Sequence, residues 1–170
     1  ETGVIFPIEE MAAIAKERGI LFHTDAVQAV GKIPINLKNT EIDFLSISGH
    51  KLHAPKGVGV LYIRKGTPFI PFMNGGHQEH GRRGGTENVA SIIGLGKACE
   101  LAQSRLEETT EHVSALRDHL EQSLLELDAI IFGQEATRIP NTSYFSLPNI
   151  EGDTLVVRLN KLGFAVASGA

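Results

Sequence analysis

Three short apolar runs within the first 63 residues set the fold of this chain. Ile20-Leu21-Phe22-His23-Thr24 ends at Asp25. Asp43-Phe44-Leu45-Ser46-Ile47-Ser48 comes after an irregular stretch containing Gly31 and Pro34, and Val58-Gly59-Val60-Leu61-Tyr62-Ile63 is entered through Pro55-Lys56-Gly57. Runs of about four to eight such residues, bounded by glycine and proline, read as strands. Ahead of them, Pro7 suits the first turn of a helix, where its missing N–H is no loss. Ile8, Met11, Ala12, Ile14 and Ala15 then recur at helical spacing, and Gly19 supplies a stop. Strand, crossover and strand at this spacing predict an α/β sheet, whose ligand-binding residues belong at the carboxyl ends of strands. Asp25 and the Ser48–Lys51 segment fall at such ends.

Residues 66–88 carry Gly75-Gly76, Gly81 and Gly84-Gly85 among polar residues and read as one long, functional-looking loop. A helical pattern follows. Val89, Ile92, Ile93, Gly96, Cys99, Ala102 and Leu106 mark one face, and Val113, Leu116, Leu120, Leu124 and Leu127 continue in a second segment. Short strands near 129–132 and 142–147, a helix near 152–162 and a last strand at 164–168 predict a smaller α+β unit that begins around residue 100.

Composition narrows the function. A chain of 170 residues with 42% hydrophobic and 21% charged content is ordinary for a globular protein. A net charge of −4 and a pI near 6.0 weigh against nucleic-acid binding, which needs a clustered basic face. The uncharged stretches are broken by glycine and proline and are too short to span a bilayer. The opening Glu1-Thr2-Gly3 has no basic region ahead of an apolar run, unlike a signal peptide. A single cysteine excludes an internal disulfide and fits a reducing cytosol, so a cytoplasmic protein is expected. The chain lacks an initial Met and closes on Ala167-Ser168-Gly169-Ala170, which reads as an internal piece of a longer polypeptide.

Chemistry concentrates in Ser48-Gly49-His50-Lys51-Leu52-His53-Ala54-Pro55-Lys56-Gly57. A lysine directly after a strand end, flanked by Ser and His, is positioned for a Schiff base. Such a lysine must lose its proton near neutral pH, through desolvation or a neighbouring positive charge. Ser48 and His50 offer donors to a phosphate, and Gly49 lets backbone approach closely. Taken alone, Lys51 reads first as a solvated lysine in a Gly/Pro-rich loop, and Asp25 as a cap on the turn after its strand. The pair is more specific. Pyridoxal phosphate (PLP) acts as an electron sink when a carboxylate keeps its pyridine nitrogen protonated. At ~3 Å and an effective dielectric of ~20, that pair gains roughly 5 kcal/mol before desolvation. Gln28, three residues past Asp25, reaches the cofactor's phenolic oxygen if the chain turns helically there.

His23-Thr24-Asp25-Ala26-Val27-Gln28-Ala29-Val30-Gly31-Lys32, followed by the Ser48–Gly57 block, resembles the class V aminotransferase group of fold-type I PLP enzymes. Within that group the chain is most similar to cysteine desulfurases of the NifS/IscS kind. Glu1-Thr2-Gly3, Gly75-Gly76-His77-Gln78-Glu79, Arg82-Arg83-Gly84-Gly85-Thr86-Glu87-Asn88, Pro140-Asn141-Thr142, Glu151-Gly152 and Ala167–Ala170 also match. The resemblance implies part of a PLP-binding large domain over residues 1–99 and the start of a small α+β domain over 100–170. It implies that Lys51 carries the cofactor and shuttles protons, that Asp25 pairs with the pyridinium and Gln28 contacts the phenolic oxygen. Ser48 and His50 bind phosphate, and Thr86 reaches the phosphate of the neighbouring subunit's cofactor, so the enzyme is a homodimer. L-cysteine is the implied substrate, and an iron–sulfur scaffold protein the implied sulfur acceptor. Neither nucleic acid nor membrane is a partner.

The family's sulfur nucleophile is a cysteine just beyond a Ser-Gly-Ala-like sequence, where this chain ends. Cys99, with Ile92, Gly96 and Ala102 on an apolar face, reads as a core residue. Two other readings stand beside the desulfurase. One is a class V lyase or aminotransferase that uses no cysteine. The other is a metal-binding or structural module built on His50, His53, His77 and His80, whose spacings are ligand-like.

Overall fold

The computed structural model describes residues 1–169. They pack as two compact units, Pro7–Leu106 and residues 1–6 with those from Glu107 onward. The boundary expected at residue 99 would cut a helix that runs unbroken from Val89 to Ser104. That helix stays with the first unit because Leu95 is buried against Leu52 and Ala54.

In the first unit, α1 (Ile8–Glu17) leads to β1 (His23–Asp25), β2 (Phe44–Ser48) and β3 (Gly59–Ile63), which form a sheet in that order. β1 and β2 are parallel, with Asp25 opposite Ser46, and β2 and β3 are antiparallel. β1 is shorter than its apolar run because pairing starts only at His23, opposite Phe44. Ile20 and Leu21 remain half exposed. The entry to β1 is fixed by Asp43, a buried carboxylate that accepts the Phe22 N–H at 2.9 Å. Arg64 donates through Nε to the Ile42 carbonyl at 3.0 Å and through Nη2 to the Thr40 carbonyl, which ties the end of β3 to the start of β2.

Side chains alternate across a pleated sheet, and here the alternation separates structure from chemistry. Leu45 and Ile47 of β2 face the core, where Leu45, Ile42, Ala12 of α1 and Ala26 pack together. Leu45 and Ile42 are each only 1% exposed. The register puts His23, Asp25, Ser46 and Ser48 on the opposite face. That face is open, so the strands are half-buried instead of sealed on both sides.

The long loop contains one turn, α2 (Gln78–Gly81), in which Glu79 and His80 adopt left-handed φ of 49° and 55°. Ile70 and Phe72 in this loop are 91% and 96% exposed. In α3 (Val89–Ser104) the packed stripe is Leu95, Ala98, Cys99 and Ala102, while Val89, Ile92 and Ile93 point to solvent. The expected face was rotated because this helix is apolar nearly all round, and periodicity alone does not choose between its sides. Cys99 is half-buried within the packed stripe.

The second unit holds α4 (Leu106–Leu125) from its second residue on, an antiparallel pair β4 (Ile130–Ile131) and β5 (Phe145–Ser146), and α5 (Gly152–Lys161). Leu124, Ala129 and Ile131 form its core with Phe145 and Leu147. The expected strand at 164–168 is not formed among the described residues. A strand needs a neighbour to take its N–H and C=O groups, and the sheet here ends at two strands. Residues 1–6 join through Ile5 N–H to the Thr137 carbonyl at 2.9 Å and Ile139 N–H to the Gly3 carbonyl at 2.8 Å. No helix among the described residues is long and apolar enough to cross a membrane.

A buried ion pair ties α4 to this edge. Arg138 grips Glu121 with two parallel bonds of 2.7 Å, and the side chains are 6% and 9% exposed. The guanidinium, working against burial, holds the Glu121 carboxyl below the usual carboxylate range. Its stabilisation is therefore complete above the unfolded value of about 4.3 and is lost as pH falls through the lower folded value. Removing one partner of such a pair strands the other charge. We expect Glu121→Gln to lower stability by about 3–5 kcal/mol at pH 7. In urea titrations, the gap between this variant and the unsubstituted chain should narrow at pH 3.

Candidate active site

Lys51 lies in a 3₁₀ turn, Gly49–Leu52, that continues directly from β2. Residues three apart eclipse in a 3₁₀ turn, so Gly49 and Leu52 both face inward and are buried. His50 and Lys51 are left on the exposed side. Gly49 N–H donates to the Val58 carbonyl at 2.9 Å, and Ala54 N–H donates to the Gly49 carbonyl at 3.1 Å. His53 ends the turn in the left-handed conformation, φ 64°.

Gly49 was expected to open the backbone to a phosphate. Its N–H is engaged with Val58, and a Cβ there would lie 2.8 Å from the Val58 carbonyl oxygen. This glycine is needed for the close approach of the segment entering β3, and it shapes the turn that carries Lys51. Ser48 and His50 meet each other: Ser48 Oγ is 2.8 Å from His50 Nδ1. The bond links two groups that both offer polar hydrogens to an anion.

Asp25 ends β1, and the chain turns at once. Val30 N–H reaches the Ala26 carbonyl at 3.0 Å, the helical bond that Gln28 required, and Ala26 N–H is held by the Ser46 carbonyl at 3.0 Å. Asp25 Oδ1 accepts the Val27 N–H at 2.9 Å. The carboxylate thus does cap its own turn, and a carboxylate also has a second acceptor oxygen for another donor. Asp25 and Gln28 are exposed on the open side of the unit.

The turn after β1 is locked to the turn after β2. Gly31 has φ +77°, and a Cβ there would fall 2.4 Å from Leu52 Cδ2 and 3.3 Å from Ala102 Cβ. Leu52 therefore packs directly on Gly31, one residue from Lys51. Two contacts on this edge were not foreseen. His23 Nε2 lies 2.8 Å from Ser46 Oγ across the β1–β2 pair. Lys32 donates through Nζ to Gln28 Oε1. Burial lowers the Lys32 pKa, and the charge of Lys51 lowers it further, so the two lysines sit within electrostatic reach. The four-residue step from Gln28 to Lys32 was a signal for this contact, once the turn at Ala26–Val30 is helical.

Thr86 is exposed in the segment before α3, whose helix is capped by Asn88 Oδ1 accepting the Ser91 N–H at 3.3 Å. It does not join the Asp25–Lys51 cluster through any bond within the first unit. Among the described residues, no three His, Cys, Asp or Glu side chains converge to hold a metal. His50 bonds to Ser48, and His53 serves as the left-handed end of the turn.

A carboxylate, an amide, a hydroxyl–imidazole pair and an amine thus border the carboxyl ends of two parallel strands. The family model of class-V aminotransferases matches residues 1–170. The chain belongs to that family.

Two curated relatives are each 57% identical over the whole of this class-V aminotransferase chain and 43% of their own length. They are a cysteine desulfurase from Gluconacetobacter diazotrophicus and the cysteine desulfurase NifS of Azotobacter vinelandii. The chain thus spans less than half the length of the curated relatives it matches. A solved NifS-like protein superposes with a TM-score of 0.93 at 45% identity, over 98% of this chain and 46% of that one. A NifS-like protein from Rickettsia africae superposes at 0.95 with 34% identity, over 100% and 48%. The mixed α/β fold expected from the sequence is the fold of these proteins.

The Gly31–Leu52 contact gives a test of how this class-V aminotransferase fold holds its site. Gly31→Ala introduces both a left-handed alanine, costing roughly 1–2 kcal/mol, and an overpacked Leu52, costing about 1–3 kcal/mol. Denaturant unfolding should show a loss of at least about 2 kcal/mol.

Proposed function

We propose that the protein containing this chain is a PLP-dependent cysteine desulfurase. The observation that carries the reading is the lock between the two turns, which holds Lys51 on the same edge as Asp25 and Gln28. The names of the relatives support it, and the donor set fits PLP. An amine is available for a covalent bond, a carboxylate for a protonated ring nitrogen, and a hydroxyl and an imidazole for a phosphate. When bound, PLP supplies the electron-withdrawing ring that lets bonds at a substrate's α-carbon break.

The chain's own residues act around that ring. Lys51 Nζ would hold the cofactor and would take and return protons beside it. Asp25, its rotamer held by Val27 N–H, keeps the ring nitrogen protonated. Gln28 binds the phenolic oxygen. Ser48 and His50 bind phosphate as a pair, with Gly49 shaping their turn. On the reading by resemblance, Thr86 completes the phosphate site of a neighbouring subunit, so the enzyme works as a homodimer. The exposed Ile70 and Phe72 in the preceding loop favour an additional covering surface there.

The substrate of this reading is L-cysteine, and its sulfur passes to an iron–sulfur scaffold protein, in nitrogen fixation or general cluster assembly, in the cytoplasm. Cys99 is not the sulfur nucleophile: it is half-buried among Leu52, Ala54, Leu95 and Ala102. The two compact units are, on this reading, parts of the large and small domains.

The full-length protein tests the proposal. It should carry a visible absorption band that borohydride reduces and that Lys51→Ala removes, and it should release sulfide from L-cysteine. Asp25→Asn should retain the band yet lower turnover by about a hundredfold or more, the scale of one positioned acid–base group. A colourless full-length protein after PLP addition would refute the cofactor assignment. A yellow protein without sulfide release would refute the substrate.

A further inference from the structure

We infer that Lys32 is a positioning residue that fixes which end of the Gln28 amide faces the cofactor site. The inference rests on the PLP reading and goes beyond it to a residue with no place among the cofactor contacts.

An ammonium group has three donors and no acceptor, whereas a glutamine amide has a carbonyl oxygen at one end and an NH₂ at the other. The bond from Lys32 Nζ therefore selects Gln28 Oε1 and leaves Nε2, with its two N–H groups, on the far side. Without that partner, the amide can rotate and present either end, because the two orientations fill nearly the same volume. The selection matters for a phenolic oxygen that carries negative charge. An N–H facing it is attractive, and a carbonyl facing it is repulsive.

Lys32 is well placed to hold this role. It follows Gly31, whose bare Cα accommodates Leu52, so its backbone is pinned against the turn that carries Lys51. Lys32 itself is half-buried, which limits the positions its side chain can take. The lowered Lys32 pKa agrees with this setting. The charge that bears on it from the facing turn is Lys51, and Asp25 stands at the head of its own turn.

The experiment follows the visible band of the full-length holoenzyme as pH is varied. A hydrogen bond to the phenolic oxygen favours the unprotonated form of the lysine–cofactor bond, so losing it raises the midpoint. Lys32→Met should move the midpoint up by about one pH unit, the scale of one lost charge-assisted contact. Lys32→Arg, which keeps the charge and the donors, should stay close to the unsubstituted protein. In a Gln28→Leu background, Lys32→Met should add less than half of its single effect, because the two act through one contact.

A band whose midpoint is unmoved by Lys32→Met would overturn the assignment. Full persistence of the shift in the Gln28→Leu background would also overturn it, since Lys32 would then act by charge alone. If the unsubstituted protein has no lysine-dependent band, the cofactor reading falls first. That outcome is distinct from either of the others.

Discussion

The parallel pairing of β1 with β2 is the constraint on which the candidate site depends. With Asp25 opposite Ser46, the carboxylate ends its strand just before β2 gives way to the turn of Lys51. A slip of one residue would send every side chain of β1 to the other face. Asp25 would then point into the core beside Leu45, where an unpaired carboxylate is costly. Asp43 guards against the slip from one end through Phe22 N–H, and Ala26 N–H on the Ser46 carbonyl guards from the other.

Packing then fixes the two turns against each other. Leu52 is the only large side chain of its 3₁₀ turn directed inward, and it rests on Gly31, Ala54 and Leu95. One apolar residue thus joins the turn after β1, the turn after β2 and α3. The same pleat that buries Leu45 and Ile47 turns Ser46 and Ser48 outward. Core formation and exposure of the polar edge are one event, because alternation leaves no way to have the first without the second.

Much of this was legible in the sequence. The Gly/Pro-bounded runs located three strands, and residue chemistry at their ends marked Asp25, Gln28, Ser48, His50 and Lys51. Other features depended on contacts that sequence spacing does not encode. The mixed direction of the sheet comes from a ten-residue link between Ser48 and Gly59 that contains no crossover helix. The packed face of α3 keeps Cys99 and Ala102 of the expected one but turns Ile92 and Ile93 outward, because these are as apolar as Leu95. Spacing also does not reveal that Gly49 makes room for Val58. Lys32 was hidden because a lysine reads as solvated until its turn is known.

The bond from Asp25 Oδ1 to Val27 N–H has a consequence for recognition. The carboxylate is oriented by its own backbone as the chain folds, before any partner arrives. The rotamer freedom that a ligand would otherwise have to remove, about 0.5–1.5 kcal/mol for a flexible side chain, is already absent. A partner for that carboxylate meets a preorganised acceptor, and the loss of entropy belongs to folding and not to association.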